Sequence, residues 1–197
     1  MPTNAADQQE AIVRAALGLL ATGGPQALRV RDIADAAGCT TMTVYSRFGG
    51  KDGIVEAIFV DGFRRFTHAL ENANAESDTA NLDRAERLAG AYRSWALTNP
   101  GSYQVMFTEA VPGFAPSADA TAIALRAFEV LLVTVESLQS EGRVRDGDAA
   151  DIAWALWGTS HGLVMLELAC MSPIAGEPDH EAMYSNAIAA IMGGFAP

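Results

Sequence analysis

Residues 28–51, LRVRDIADAAGCTTMTVYSRFGGK, constrain the fold more tightly than any other part of the chain. The apolar positions Ile33, Ala34 and Ala37 recur at helical spacing and stop at Gly38, a residue that accepts the left-handed conformation in which helices commonly end. Cys39 follows as an apolar turn residue, and Thr40 offers the side-chain oxygen of a good N-cap. The helix that follows, about 41–47, is short and rich in hydroxyls. Thr41, Met42, Thr43, Tyr45 and Ser46 are left for outward contacts, while Val44 and Phe48 anchor it inward. Two helices hinged on a glycine, the second short and polar, form the layout that lays a helix in the major groove of DNA.

The flanking segments complete an all-α pattern. Ile12, Ala16, Leu19 and Leu20 mark a first helix that Gly23-Gly24-Pro25 stops, giving a three-helix head over 1–51. A fourth helix starts after Gly50 and runs to about Asn72 through Ile54, Ile58, Phe59, Phe63, Phe66 and Leu70. It leads into a polar connector, so 52–80 form the link. Residues 81–197 read as a helical body, with helices at 81–98, 101–108 and 119–141, one starting after the cap Asp148, and a last one at about 178–192. Pro178 is placed in the first turn of that last helix, and 109–118 form a Pro/Gly-rich loop.

The pieces IADAAG, Thr40, TVYSRF and Gly50-Lys51, correctly spaced over about 25 residues, resemble the DNA-binding domain of the TetR/AcrR family of transcription regulators. Two positions depart from the family pattern. Arg29 stands where a Thr or Ser usually opens the first motif helix, which weakens that cap. Met42 stands where a small residue is usual, which bears on the base that is read. Further on, Trp157, His161 and Gly162 in WGTSHG are similar to the signature of the WHG class of C-terminal domains in the same family. The resemblance implies a homodimeric regulator whose helical body senses a small molecule.

A net charge of −11 at first argues against nucleic acid, but its distribution does not. Residues 1–51 carry five cationic and four acidic side chains, whereas 66–197 carry six and seventeen. A mildly positive head on an acidic body is compatible with DNA, because local charge sets phosphate contact. No uncharged apolar run reaches membrane-spanning length, and the start MPTNAADQQE lacks the pattern of an export signal, so a cytoplasmic location and no membrane partner are expected. Cys39 and Cys170 have no metal-ligand spacing, His68 and His180 have no partner spacing, and catalytic motifs are absent; no metal, cofactor or catalytic residue is expected.

The expected DNA contacts are Arg29, Arg31, Thr40, Thr41, Met42, Thr43, Tyr45, Ser46, Arg47 and Lys51. Lys51 at a helix start joins its ammonium to the positive helix end, and Tyr45 adds a ring and a hydroxyl, so both suit phosphate. Surface lysine and half-buried ring are the alternative readings. Arg29 and Arg31 are placed to clamp a second phosphate. The front of the reading helix lacks Arg, Asn and Gln, which leaves methyl contacts and DNA shape, with Arg29 or Arg47, to supply specificity. Cys39 is open to two readings, packing residue and redox switch.

The expected effector contacts are Tyr92, Trp95, Tyr103, Met106, Phe107, Phe114, Phe128, Trp154, Trp157, His161 and Met165, an aromatic and methionine set around an apolar cavity. His161 reads either as a hydrogen-bonded core residue or as a ligand contact. The nearly all-round apolar run from Ala149 to Met171 points to a dimer face, with Ala153, Gly158, Gly162, Ala187 and Ala190 allowing close helix approach. The function expected is a DNA-binding regulator, most simply a repressor on a palindromic double-stranded operator, released by an apolar or aromatic effector. The alternative is a helical binding protein or enzyme whose helix-turn-helix is only structural.

Overall fold

The computed structural model describes residues 5–75, 84–108, 110–170 and 178–197. The part of the polar connector from 76 onward, Glu109 and Met171 lie outside the described residues. Among the described residues every regular element is helical: α1 (Ala5–Gly23), a 3-10 turn (Pro25–Ala27), α2 (Val30–Ala36), α3 (Thr41–Phe48), α4 (Lys51–Ala75), α5 (Arg84–Thr98), α6 (Pro100–Phe107), α7 (Ala118–Ser140), α8 (Ala149–Leu168) and α9 (His180–Gly194). They fall into two compact units, 1–64 with 100–124 and 65–99 with 125–197. The units do not follow chain order: α6 and its following loop belong with the head.

In the first unit, α1 packs on α2 and α2 on α3, and Ile12, Ala16 and Leu20 of α1, Ile33 and Ala34 of α2 and Val44 of α3 are buried. Ile12, Ile33 and Val44 have no exposed surface. Burial of this kind contributes roughly 1.5–3 kcal/mol for each large side chain, which is what holds such short helices together. Gly38 takes the left-handed conformation (φ 66°), and the Cys39 amide returns to the Ala34 carbonyl at 2.9 Å. Thr40 caps α3 by accepting from the Thr43 amide. Arg29 sits at the N-cap of α2 with no side-chain capping bond, in line with its departure from a hydroxyl residue. A string of aromatic contacts adds α6 and the loop after it: Phe59–Phe63 at 4.8 Å, Phe63–Phe107 at 5.2 Å, Phe59–Phe114 at 6.0 Å and Tyr103–Phe107 at 4.7 Å between ring centroids.

In the second unit α5 packs on both α8 and α9. Val135, Leu138, Val144, Ile152, Ala153 and Leu156 form its core. A two-pronged ion pair ties α5 to α8, with Arg93 Nε and Nη2 donating to the Glu167 carboxylate at 2.9 and 2.7 Å. The Tyr184 hydroxyl of α9 donates to the Ala89 carbonyl at 2.8 Å. Gly142 (φ 67°) ends α7, and Asp148 caps α8 by accepting from the Ala150 amide.

Two sequence expectations need correction. Pro178 precedes α9 instead of occupying its first turn, because Asp179 takes the N-cap by accepting from the Ala182 amide. Ala153 is fully buried in its own subunit's core and cannot serve a contact between subunits. Periodicity hid this, since nearly every face of α8 is apolar and only packing selects the inward one.

The turn into α4 depends on a glycine that periodicity does not mark. A Cβ added at Gly53 would run into the Phe48 carbonyl oxygen, whereas one added at Gly90 would meet nothing within 4 Å. Gly53→Ala is therefore expected to lower stability by about 1–3 kcal/mol, as overpacking does, while Gly90→Ala raises it by about 0.5–1 kcal/mol. Urea midpoints of the two variants check the pair, and an unchanged midpoint in Gly53→Ala contradicts this close approach.

Candidate nucleic-acid interface and apolar cavity

Thr40 starts α3 and Gly49 ends it in the left-handed conformation (φ 71°), so only eight residues carry the outward face. Arg29, Arg31, Thr40, Thr41, Met42, Tyr45, Ser46 and Arg47 are exposed, and Thr43 and Lys51 are half-buried. All ten expected DNA contacts thus lie on α3 or at the starts of α2 and α4. The hydroxyls are less free than the sequence suggests. Those of Thr40 and Thr43 lie 3.0 Å apart, and the Ser46 hydroxyl donates back to the Thr43 carbonyl at 3.0 Å. Met42 projects with 74 % of its surface exposed.

Tyr45 is 54 % exposed, which rules out the half-buried alternative for its ring. The ring lies over Gly50, where an added Cβ would sit 3.5 Å from its edge. Lys51, the next residue, opens α4, so the Gly49-Gly50 turn sets Tyr45 beside a helix N-terminus and its cation. Backbone N–H groups, a helix dipole, a lysine and a phenol together suit one phosphate. Cys39 is half-buried and burial pushes its thiol up, away from the reactive thiolate, which favours the packing reading.

The second unit contains a cavity of about 40 Å³ that opens to solvent on one side. Phe66 and Leu70 of α4, Leu88 and Tyr92 of α5, Phe128 of α7 and Trp157 of α8 are among the large side chains on its walls, and Ser160 and Ile188 also line it. Every lining residue is buried except Phe128, Leu131 and Trp157, so the mouth opens between α7 and α8. Trp154, 69 % exposed, contacts the Phe128 and Trp157 rings there, at 6.3 and 5.9 Å.

The polar groups of the wall are held by one another. The Tyr92 hydroxyl lies 3.1 Å from His161 Nδ1, and burial pushes the imidazole below its ordinary value, toward the neutral form. Ser160 hydrogen-bonds Tyr184, whose phenol burial holds well above its usual range. Among the described residues, no charged side chain lines the cavity.

The expected effector contacts divide accordingly. Tyr92, Phe128 and Trp157 line the cavity. Trp95 contacts Phe66, Trp154 contacts Phe128, and His161 reaches Tyr92, so these three stand behind or beside the wall. Met165 is half-buried on α8 outside the lining, and Tyr103, Met106, Phe107 and Phe114 belong to the first unit. Phe66, Leu70 and Ile188 were not expected. Their only sequence signal is the apolar stripe of α4 and α9, which does not distinguish core from cavity wall.

Two family models match the chain. Residues 12–58 match the model of bacterial regulatory proteins of the tetR family, and residues 85–191 match the Tetracyclin repressor-like C-terminal domain. That second match does not single out the WHG class. HTH-type transcriptional regulators Rv1816 of Mycobacterium tuberculosis and Mb1846 of Mycobacterium bovis are each 27 % identical over 100 residues, 50 % of this chain and 43 % of theirs. The chain thus aligns with less than half the length of these relatives. A structure of a protein of unknown function from Rhodococcus sp. RHA1 superposes with TM-score 0.82 at 26 % identity, covering 96 % of both chains. The TetR family transcriptional regulator PfmR from Thermus thermophilus shares the fold, with TM-score 0.71 at 20 % identity over 94 % of this chain and 99 % of its own.

Lys51→Ala should weaken binding to all duplex sequences alike and lower the salt dependence by about 0.9 in log–log slope per subunit, one phosphate's worth. Titration across salt concentrations measures this slope, and unchanged binding at roughly physiological salt removes Lys51 from the backbone contact.

Proposed function

Because the chain belongs to the TetR family of bacterial DNA-binding transcription regulators, we propose that it is a cytoplasmic, ligand-responsive repressor that binds a palindromic operator as a homodimer and is released by a small effector. The uncharged cavity of the second unit carries this reading. With its polar groups already hydrogen-bonded internally, it suits a neutral apolar or aromatic molecule and disfavours an anion, whose charge would be desolvated without a partner.

The mechanism is a shift between two states. Free of effector, two heads placed roughly one helical turn of DNA apart, about 34 Å, fit symmetric half-sites. The effector binds better to a state with different head spacing. The shift it produces equals its differential affinity, typically about 1–3 kcal/mol, or roughly 5- to 150-fold in DNA affinity. The helix α4 is common to both functions, with Lys51 in its first turn and Phe66 and Leu70 in the cavity wall.

Dimerisation through α8 and α9 is supported by what α8 leaves in solvent. Trp154, Gly158, Gly162 and Leu166 are exposed on it, and Met183 and Ala190 on α9. A monomer gains nothing from that apolar surface, whereas a second copy buries it.

Two measurements test the proposal. A hydrophobic compound that quenches tryptophan emission should weaken operator binding, and DNA should weaken the compound's binding by the same factor. Phe128→Ala should change the compound's affinity by roughly tenfold, as loss of a buried aromatic wall implies, and leave effector-free DNA binding nearly intact. A broad hydrophobic library in which nothing shifts DNA affinity defeats the sensor role. For the dimer, a Cβ added at Gly162 meets nothing within 4 Å, so Gly162→Leu should keep the fold and lose the dimer in sedimentation. A wild-type chain that sediments as a monomer at micromolar concentration refutes this interface.

A further inference from the structure

Four kinds of side chain read bases by directed hydrogen bonds in the major groove: Arg or Lys on guanine, Asn or Gln on adenine, Asp or Glu on cytosine, and free hydroxyls on several edges. Residues 41–46 contain none of the first three kinds. The fourth is mostly committed. Thr40 and Thr43 face each other at 3.0 Å, with the Thr43 amide also on the Thr40 oxygen at 3.2 Å, and Ser46 donates to the Thr43 carbonyl. The Tyr45 ring is laid over Gly50 toward the start of α4. What remains at the leading end of α3 is the Met42 thioether, 74 % exposed, with exposed Thr41 next to it. A methionine offers the groove no donor and conformable apolar surface. The C5-methyl of thymine is the apolar group that the major-groove edges of the bases present to it.

We infer that the reading head selects its operator through thymine C5-methyl groups, with Met42 as the specificity-determining side chain and the Thr41 methyl beside it. The inference rests on the DNA-binding reading and adds the base and the group that are recognised. It makes sequence selection hydrophobic, while affinity comes from cations and helix ends that touch only phosphate. Arg47, exposed on the last turn of α3, lies away from the end that carries Met42.

Thymine and deoxyuridine differ by that methyl alone, so the test is direct. Duplexes are first selected from a random pool by the full-length chain. Each thymine of a half-site is then replaced by deoxyuridine, and binding is followed by fluorescence anisotropy. At one or two thymines per half-site, the replacement should weaken binding roughly fourfold for each buried methyl, and roughly fifteenfold when both half-sites are changed. Met42→Ala, at a solvent-exposed position, should bring the thymine-to-deoxyuridine ratio close to one, and Met42→Leu should keep most of it. Equal affinity for both duplexes at every position overturns the inference, as does an unchanged ratio in Met42→Ala. If selection enriches no sequence at all, the DNA-binding reading fails and takes the inference with it. Enrichment without any effect of deoxyuridine overturns the inference alone.

Discussion

Everything the head does depends on the burial of Val44, as of Ile12 and Ile33, away from water. A helix of eight residues is not stable by itself in water, because the cost of nucleation is shared by too few hydrogen bonds. Here one side of α3 is fixed by a fully buried valine and its start by the Thr40 cap, a contact worth about 1 kcal/mol. The exposed side of α3 is thereby released from any structural duty. It can carry a methionine in open solvent, a residue that a self-supporting helix surface gains nothing by exposing.

The second unit meets the opposite requirement. It keeps a space open inside a helical core while the polar groups on its wall, Tyr92 and Ser160, each have a hydrogen-bond partner. Tyr92 with His161, and Ser160 with Tyr184 and the Ala89 carbonyl, close their hydrogen bonds among themselves. Burial pushes the imidazole toward its neutral form, since a charged one beside an apolar wall would be costly. His161, half-buried, is the hydrogen-bond partner of Tyr92. The Arg93–Glu167 pair holds α5 to α8 beside the same wall, so the helices that form the cavity are joined by polar contacts as well as by packing.

Aromatic density in the sequence did not separate the two units. Eleven side chains read as one cluster, yet they divide between two units. Phe107 and Tyr103 pack with Phe63 and complete the core of the head. The cavity takes Phe66 and Leu70 from α4 and Ile188 from α9, residues whose types look like ordinary core. Trp154 stands at the mouth with most of its surface in solvent. Composition cannot sort these cases, because a ring in a core and a ring in a wall obey the same preference for leaving water.

The local elements were legible in the chain by itself. Gly38, Thr40, Gly142 and Asp148 perform as turn and cap residues because their effects reach only a few atoms away along the backbone. The helical periods and the family resemblance likewise identified the all-α class and the family. Tertiary structure alone decided which apolar faces point inward, as with Ala153, and which close approach requires glycine, as at Gly53. It also decided that the loop and short helix at 100–124 join the head, and which hydroxyls of α3 are already engaged. Those outcomes depend on neighbours distant in sequence or on the exact turn of a side chain, and a pattern of residue types contains neither.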